Sequence, residues 1–464
     1  EPAPWERKIV IIDILVAEIG STTTKVSAFD KINDQKPLFL GQGSAPTTVL
    51  NGDVTTGLKK AIEDLKYRLK TEELEAKESF ACSSAAGGLK MSVHGLVYEM
   101  TAKAAKEAAL GAGANLHLLT AGLLTPENLT AIQDLNLNII MIAGGVDYGE
   151  KYTSLSNAKA IARLRLNIPV IYAGNIENQE AVKMAFLENG QEKYLYITDN
   201  VYPKIDVLAV ESARIVIQNV FENHITKAPG MEKVREMITK TIIPTPGAVL
   251  KTAILMQKAI GDLVVADVGG ATTDIHSVTE GSKEVQRQAM SPEPFAKRTV
   301  EGDLGVYINR DRLLATTTPQ ILAKELRISE TELFTILDKY KALPNLKQIP
   351  VVQYLTKIAL CMALERHVGR YASIYGSNGK SSIPEGKDLT NVAYIIGTGG
   401  ALSRLPSGKK ILGEILIWRD PRLLLPPPSA KILIDRHYIM AAVGAFCDKY
   451  PEASVKLMKD SYGI

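Results

Sequence analysis

The chain has 464 residues, 46% of them hydrophobic and 23% charged, with a formal net charge of +3. That length exceeds one small core and predicts about two to three domains of a globular protein. It carries no broad basic field of the kind that nucleic acid selects, so no nucleic-acid partner is expected.

The N-terminal EPAPWERK is polar and Pro-rich. Ile9 to Ile19 is apolar, but Asp13 and Glu18 interrupt it. It is too short to span a bilayer and lacks the order of a signal peptide, so a buried strand is expected. No other stretch reads as a membrane span, and a cytoplasmic location is expected. A second strand runs to Asp30 and a third covers Pro37 to Gln42. Asp53 to Lys70 reads as an amphipathic helix, with Val54, Leu58, Ile62, Leu65 and Leu69 at helical spacing. Ser79 to Lys90, SFACSSAAGGLK, reads as a short strand ending in a small-residue loop. Such a loop either faces a ligand or makes a tight turn between layers.

Leu96 to Gly111 is Ala-rich and helical. Strands at His117–Thr120, Asn138–Gly145, Pro169–Asn175 and Tyr194–Thr198 then alternate with helices at Pro126–Leu135, Ser154–Leu166 and Gln179–Asn189. Thr125 is a good N-cap for the first of these helices. The alternation implies a parallel sheet covered by helices. Its glycine-bearing strand ends, GGVDYG and AGN, either cradle a ligand at the carboxyl edge or serve as ordinary strand-to-helix turns.

Val201 to Ile242 reads as mostly helical, and PTPGAVL, Pro244 to Leu250, opens the second half. Thr316 to Leu346 reads as charged, helical and exposed, and Val351 to Tyr371 as one long helix. Gly376 to Thr390 reads as a loop containing GKSS. It is not a Walker A site, because GxxxxGK[ST] requires glycine where Ile374 stands and a helix is expected to precede it. Val392 to Ser403, VAYIIGTGGALS, is a strand entering a Gly-Gly turn. A closing helix is expected from about Arg436 to Phe446. The three cysteines, Cys82, Cys361 and Cys447, are isolated and read as buried thiols of a reducing compartment. The six histidines show no HExxH spacing, so no zinc site is expected.

The chain's organising feature is a repeat. Asp13 to Asp30, DILVAEIGSTTTKVSAFD, aligns with Asp262 to Thr279, DLVVADVGGATTDIHSVT. Glu18 falls on Asp267, Gly20 on Gly269, Thr23 on Thr272 and Thr24 on Thr273. Two distant copies predict two homologous halves. Each copy sets one acid at a strand end, two residues before a Gly that opens a hydroxyl-rich turn. Such a turn offers amides and hydroxyls to phosphate oxygens. Two facing acids can hold a hydrated Mg²⁺ bridging those phosphates. The late Gly-Gly turn suits close approach of an adenine ring and ribose.

The order of these three turns resembles the actin, Hsp70 and sugar-kinase superfamily of ATPases. Within it the chain resembles the MutL/GlmL-type family associated with glutamate mutase and related adenosylcobalamin enzymes. The stretches carrying the resemblance include LVAEIGSTTTKV, ACSSAAGGLKM, PTPGAVL, VVADVGGATTDIHSV, PEPFAKRTVEGDLG, IIGTGGAL and ILIDRHYIMAAVG. The resemblance implies an α/β fold of two duplicated RNase H-like lobes with ATP between them and a βαβ subdomain inserted in the first half. The lobes are expected at 1–243 and 244–464, with the insertion at about 112–200.

The activity implied is Mg²⁺-dependent ATP hydrolysis coupled to conformational change. The protein would be a reactivating chaperone that exchanges damaged cobalamin for intact coenzyme in a mutase. Glutamate mutase and D-ornithine aminomutase are both candidate clients, and an oligomer is compatible with the family. Glu18 and Asp267 would be the catalytic and metal-holding acids. Gly20, Ser21, Thr22 and Thr23, and Gly269, Gly270, Ala271, Thr272 and Thr273, would contact phosphates. Gly397, Thr398, Gly399 and Gly400 would meet adenosine. Lys25 and Asp274 open the second strand of each hairpin and are weaker candidates, as is Asp303 in EGDLG. The alternative function is a small-molecule kinase of the same superfamily, acting on a sugar or carboxylic acid. No general base for such a substrate stands out beyond the two acids.

Overall fold

The computed structural model describes residues 9–48, 54–84, 89–225, 231–376, 379–418 and 420–464. In chain order, β1 (Ile9–Ile19) and β2 (Thr23–Asp30) form an antiparallel hairpin that β3 (Leu38–Pro46) extends. The helix Val54–Leu69 buries Val54, Leu58, Ala61 and Leu65 on one face, as its 3.6-residue spacing demands. It returns the chain to β4 (Glu73–Ser83), which is parallel to β1. Five parallel strands follow, β5 (Leu89–Gly95), β6 (Ala114–Ala121), β7 (Ile139–Ile142), β8 (Val170–Tyr172) and β9 (Leu195–Ile197). The chain then adds β10 (Ile242–Pro244) beside β4.

The second half repeats the opening. β11 (Leu263–Val268), β12 (Thr273–Val278) and β13 (Ala296–Glu301) form an antiparallel meander. A separate hairpin, β14 (Arg370–Gly376) and β15 (Gly379–Glu385), intervenes before β16 (Tyr394–Thr398) and β17 (Lys431–Ile434). β16 is parallel to β11, as β4 is to β1. The two core sheets therefore have one strand order, β10-β4-β1-β2-β3 and β17-β16-β11-β12-β13. This is the expected duplicated α/β architecture, with two RNase H-like lobes and an added parallel sheet.

Side chains of β11 alternate between two cores, as strand geometry requires. Val264, Ala266 and Val268 face the layer containing the helix Ile349–His367. Leu263 and Val265 face a second core shared with Ile14, Val16, Phe80 and Cys82 of the first sheet. The helices Thr245–Ile260 and Met440–Phe446 fill that shared core and join the two sheets. They cross so closely that a Cβ at Gly444 would lie 2.0 Å from the carbonyl oxygen of Ala248.

The third sheet has the order β6-β5-β7-β8-β9, so the direction of winding reverses between β5 and β7. It begins at Leu89, ahead of the expected 112. Its helix Pro126–Asp134 starts at Thr125 with a reciprocal capping box to Asn128.

Several local expectations are corrected. The long helix ends at His367, not Tyr371, and the middle of the expected loop from Gly376 to Thr390 is strand β15. The Gly- and Ser-rich run contributes the paired ends of β14 and β15, down to Gly376 opposite Gly379, and residues 377–378 lie outside the described set. A strand, not a helix, therefore precedes GKSS, although Ile374 still breaks the Walker pattern. Leu89–Gly95 is a strand, and the expected Ala-rich helix after it opens with a π-helical turn at Tyr98–Ala102 and continues as α-helix from Lys103 to Gly111. Thr316–Leu346 holds two short helices that bury Leu322, Leu333 and Ile336, so it is not simply exposed. Cys82 and Cys447 are buried, but Cys361 is half-buried on the helix beside Lys357. The Ala85–Gly88 part of the small-residue loop lies outside the described residues. Among the described residues no helix is long and apolar enough to cross a membrane.

Candidate functional site

The two hairpin turns close in the same way. Gly20 N–H donates to the Thr23 carbonyl at 3.1 Å, and Gly269 N–H donates to the Thr272 carbonyl at 2.9 Å. Each turn thus curls its small residues toward the same space. Between them lies a cleft of about 500 Å³. Glu18, Gly20, Ser21, Thr22 and Thr23 form one wall, and Asp267, Gly269, Gly270, Ala271 and Thr272 the other. The carbonyls of Gly269 and Gly270 accept from the backbone of Val306, Tyr307 and Ile308. The turn's acceptors are thereby taken up, and the amides other than that of Gly269 are left to meet an anion.

The two acids have different neighbours. Glu18 is 7% exposed and pairs in register with Lys25 on β2. Their charged atoms are 2.7 Å apart, and the Lys25 ammonium lies 3.1 Å from the centre of the Tyr438 ring. Asp267 pairs in register with Asp274 on β12. Asp274 spends its charge on the buried Arg298, at 2.6 and 2.9 Å. Asp267 has no cation within ion-pair distance among the described residues. Burial first, then the charges of Asp274 and Glu18, push its carboxyl up to about 7. A carboxylate so poised can take or hold a proton near neutral pH.

The end of β16 presses on this acid. Gly399 has φ +83°, and a Cβ there would lie 2.5 Å from Asp267 Oδ1. Only Gly400 of the four expected adenosine contacts lines the cleft. Gly397 is covered by Leu412 and Ile434, and the Thr398 hydroxyl is turned under the cleft to donate to Asp435 at 2.9 Å. Thr273 is likewise turned away from the phosphate side. It is fully buried and donates to the Leu304 carbonyl at 2.7 Å, because strand alternation points it opposite to Thr272 and Asp274. Asp303 does not enter the cleft and is held by Arg366 and Arg312 at 2.8 and 2.9 Å.

Among the described residues no three His, Cys, Asp or Glu side chains gather as a metal cage. The donor set nevertheless fits a hydrated Mg²⁺, which takes one or two carboxylates and fills its other positions with water and phosphate oxygens. Asp267, an acid without a cation, is the better donor. Glu18 already gives one oxygen to Lys25.

Sequence patterns missed several cleft residues, among them Gln42, Arg68, Tyr307, Tyr340, Arg404 and Tyr438. The Tyr307 and Tyr340 rings stack at 6.3 Å and 14°, giving that end a flat aromatic wall. Arg404 bridges to Gln42 Oε1 at 2.5 Å, from the second half of the chain to the first. Gln42, Tyr307 and Arg404 stand near glycines, but none of the six falls in the repeated strand, acid and glycine pattern that marks the two hairpins.

Fold and cleft together define a duplicated α/β protein whose two lobes turn matching glycine hairpins toward one cleft. The family model described as MutL protein matches residues 14–462. The chain is 38% identical over 460 residues to the protein named MutL from Clostridium tetanomorphum, covering 96% of this chain and 98% of that one. This chain belongs to the MutL family. Among solved structures, nucleotide-free acetone carboxylase aligns over 94% of this chain and 70% of its own, at 12% identity and TM-score 0.41. Xylulose kinase from Lactobacillus acidophilus aligns over 97% and 92%, at 11% identity and TM-score 0.35. Likenesses this weak assign neither residues nor chemistry.

Proposed function

We propose that the protein hydrolyses ATP with Mg²⁺ and uses the resulting motion to reactivate an adenosylcobalamin-dependent mutase. The clients in view are glutamate mutase and D-ornithine aminomutase, and the task is exchange of damaged cobalamin for intact coenzyme. The observation that carries the ATPase part is the uncompensated acid Asp267, facing the Glu18–Lys25 pair between two equivalent glycine turns. Phosphoryl transfer needs little covalent help from protein and much positioning and charge.

In this reading the amides of the Gly20 and Gly269 turns hold phosphate oxygens. Lys25 offers its ammonium to the transferring phosphate. Asp267 orients the attacking water and holds its proton at the carboxylate. Mg²⁺, when bound, would neutralise phosphate charge. The joining helices Thr245–Ile260 and Met440–Phe446 share one core with both sheets, so cleft closure has a built-in lever.

Client contact falls to the third sheet. Val97, Tyr98, Leu123, Tyr148, Tyr152 and Ile176 are all exposed, and all follow carboxyl ends of its strands. An apolar set gathered on one edge supports a protein partner there.

The test is a rescue assay. A candidate mutase is inactivated by turnover, then given this protein, ATP, Mg²⁺ and fresh adenosylcobalamin. Recovery that requires ATP is expected. No recovery with any such mutase, together with phosphorylation of a small acid or sugar, would assign a kinase instead.

A further inference from the structure

Tyr438 lies in the crossing between β17 and the helix Met440–Phe446. Asp435, fully buried, fixes that crossing. Its carboxylate accepts from the Ser461 hydroxyl at 2.6 Å, the Thr398 hydroxyl at 2.9 Å, and the backbone N–H groups of Met440 and Ile439 at 2.9 and 3.1 Å. Within this rigid frame Tyr438 adopts φ +54°, a left-handed conformation that a bulky residue takes only when its surroundings impose it. Its carbonyl accepts from Gln42 Nε2 at 3.2 Å on β3 of the first sheet. The imposed conformation puts the ring against the Lys25 ammonium, 3.1 Å from the ring centre.

Lys25 is 5% exposed, and its charge is set between the Glu18 carboxylate and this ring. A lysine stem is flexible and its ammonium donates in three directions. Contact with Glu18 alone fixes a distance but not an orientation. The ring supplies the second constraint, and it comes from the opposite half of the chain.

We propose that Tyr438 is a positioning residue for the phosphate chemistry of the cleft, acting through Lys25. Its ring seats the ammonium beside Glu18 and aims it at the nucleotide phosphates. The strained backbone at Tyr438 maintains that aim without cost at the moment of reaction. The proposal rests on the ATPase reading above.

The experiment compares kcat and KM for ATP in the wild type, Tyr438→Asn, Tyr438→Phe, Lys25→Met and the double variant Lys25→Met/Tyr438→Asn. Asparagine tolerates the left-handed backbone, so it removes the ring while keeping the crossing; Tyr438→Gly is the second such variant should Asn fold poorly. Tyr438→Asn is expected to lower kcat about tenfold, the size of a desolvated cation–ring contact, with a much smaller change in KM. Tyr438→Phe restores most of that loss, because the ring face returns. The double variant is no slower than Lys25→Met alone, because the tyrosine acts only through the lysine. Losses that multiply in the double variant, or a Phe variant as slow as Asn, overturn the proposal. If the wild type binds ATP without turning it over, the ATPase reading fails separately. Calorimetric affinities for ATP and ADP in the same proteins then decide: Tyr438→Asn is expected to lose affinity for ATP but not for ADP, because Lys25 faces the transferring phosphate, and an unchanged preference for ATP over ADP overturns the positioning role.

Discussion

The first and second hairpins of this chain share a sequence pattern, a turn, a hydrogen bond and a register, yet they do opposite things to their acids. At the end of β1, Glu18 faces Lys25 and forms an ion pair with it. At the end of β11, Asp267 faces Asp274 and is pushed up to about 7. Burial of Asp267 comes first, and one position in the repeat, lysine in one copy and aspartate in the other, adds to the difference. The duplicated backbone supplies two equivalent glycine turns, and that exchange sets one acid beside a cation and the other beside a like charge. Asp274 is affordable because Arg298 answers it, and Arg298 also donates to the carbonyls of Leu110 and Ala114 beside the third sheet. The second hairpin is therefore tied to the inserted layer.

The largest expected effect breaks that tie. Asp274→Ala leaves Arg298 buried without its counter-charge and should destabilise the fold by roughly 3–5 kcal/mol. Chemical denaturation measures it, and a loss below 1 kcal/mol would mean that Arg298 finds another anion. Next, Asp267→Asn should lower ATP turnover about 10²–10³-fold while the circular dichroism spectrum is unchanged, since it removes the charge that positions water. Turnover at the wild-type rate would remove Asp267 from the site.

The same variant should stabilise the nucleotide-free protein above neutral pH. The folded carboxyl titrates near 7 against 3.8 unfolded, so ionising it costs nothing below 3.8, costs more as pH rises, and costs its full amount above 7. Asp267→Asn should thus gain about 4 kcal/mol at pH 8 and less than about 1 kcal/mol at pH 4, read from melts at both. A gain that is equal at the two pH values would deny the shift. The smallest effect lies outside the hairpins. Replacing Tyr148 and Tyr152 with Ser should weaken client binding about tenfold, with ATP turnover unaltered. Unchanged capture of a mutase by the variant would move the client elsewhere.

Much of this was legible in the amino-acid string. The repeat showed both hairpins because apolar strand, acid, glycine and threonine recur at fixed offsets. The βαβ alternation between them showed a parallel sheet. What escaped had a physical reason. β10 is three residues long and owes its place to β4, not to its own pattern. The β14–β15 hairpin hid because its turn composition resembles a loop and its first strand abuts a helix. Thr273 and Thr398 read as ligand contacts because they sit in glycine turns, yet strand alternation turned both hydroxyls into the core. Tyr438 carried no signal, since its role depends on a crossing that brings it to Lys25 from the far end of the chain.

The most direct test of the contrast between the two acids is the pH dependence of kcat/KM for ATP, which reports groups in the free enzyme. The rate is expected to climb through an apparent midpoint near 7 and then level, with the midpoint falling when Asp274 becomes Asn. A profile that is flat between about pH 5.5 and 8.5, or a midpoint that Asp274→Asn leaves in place, would contradict this expectation.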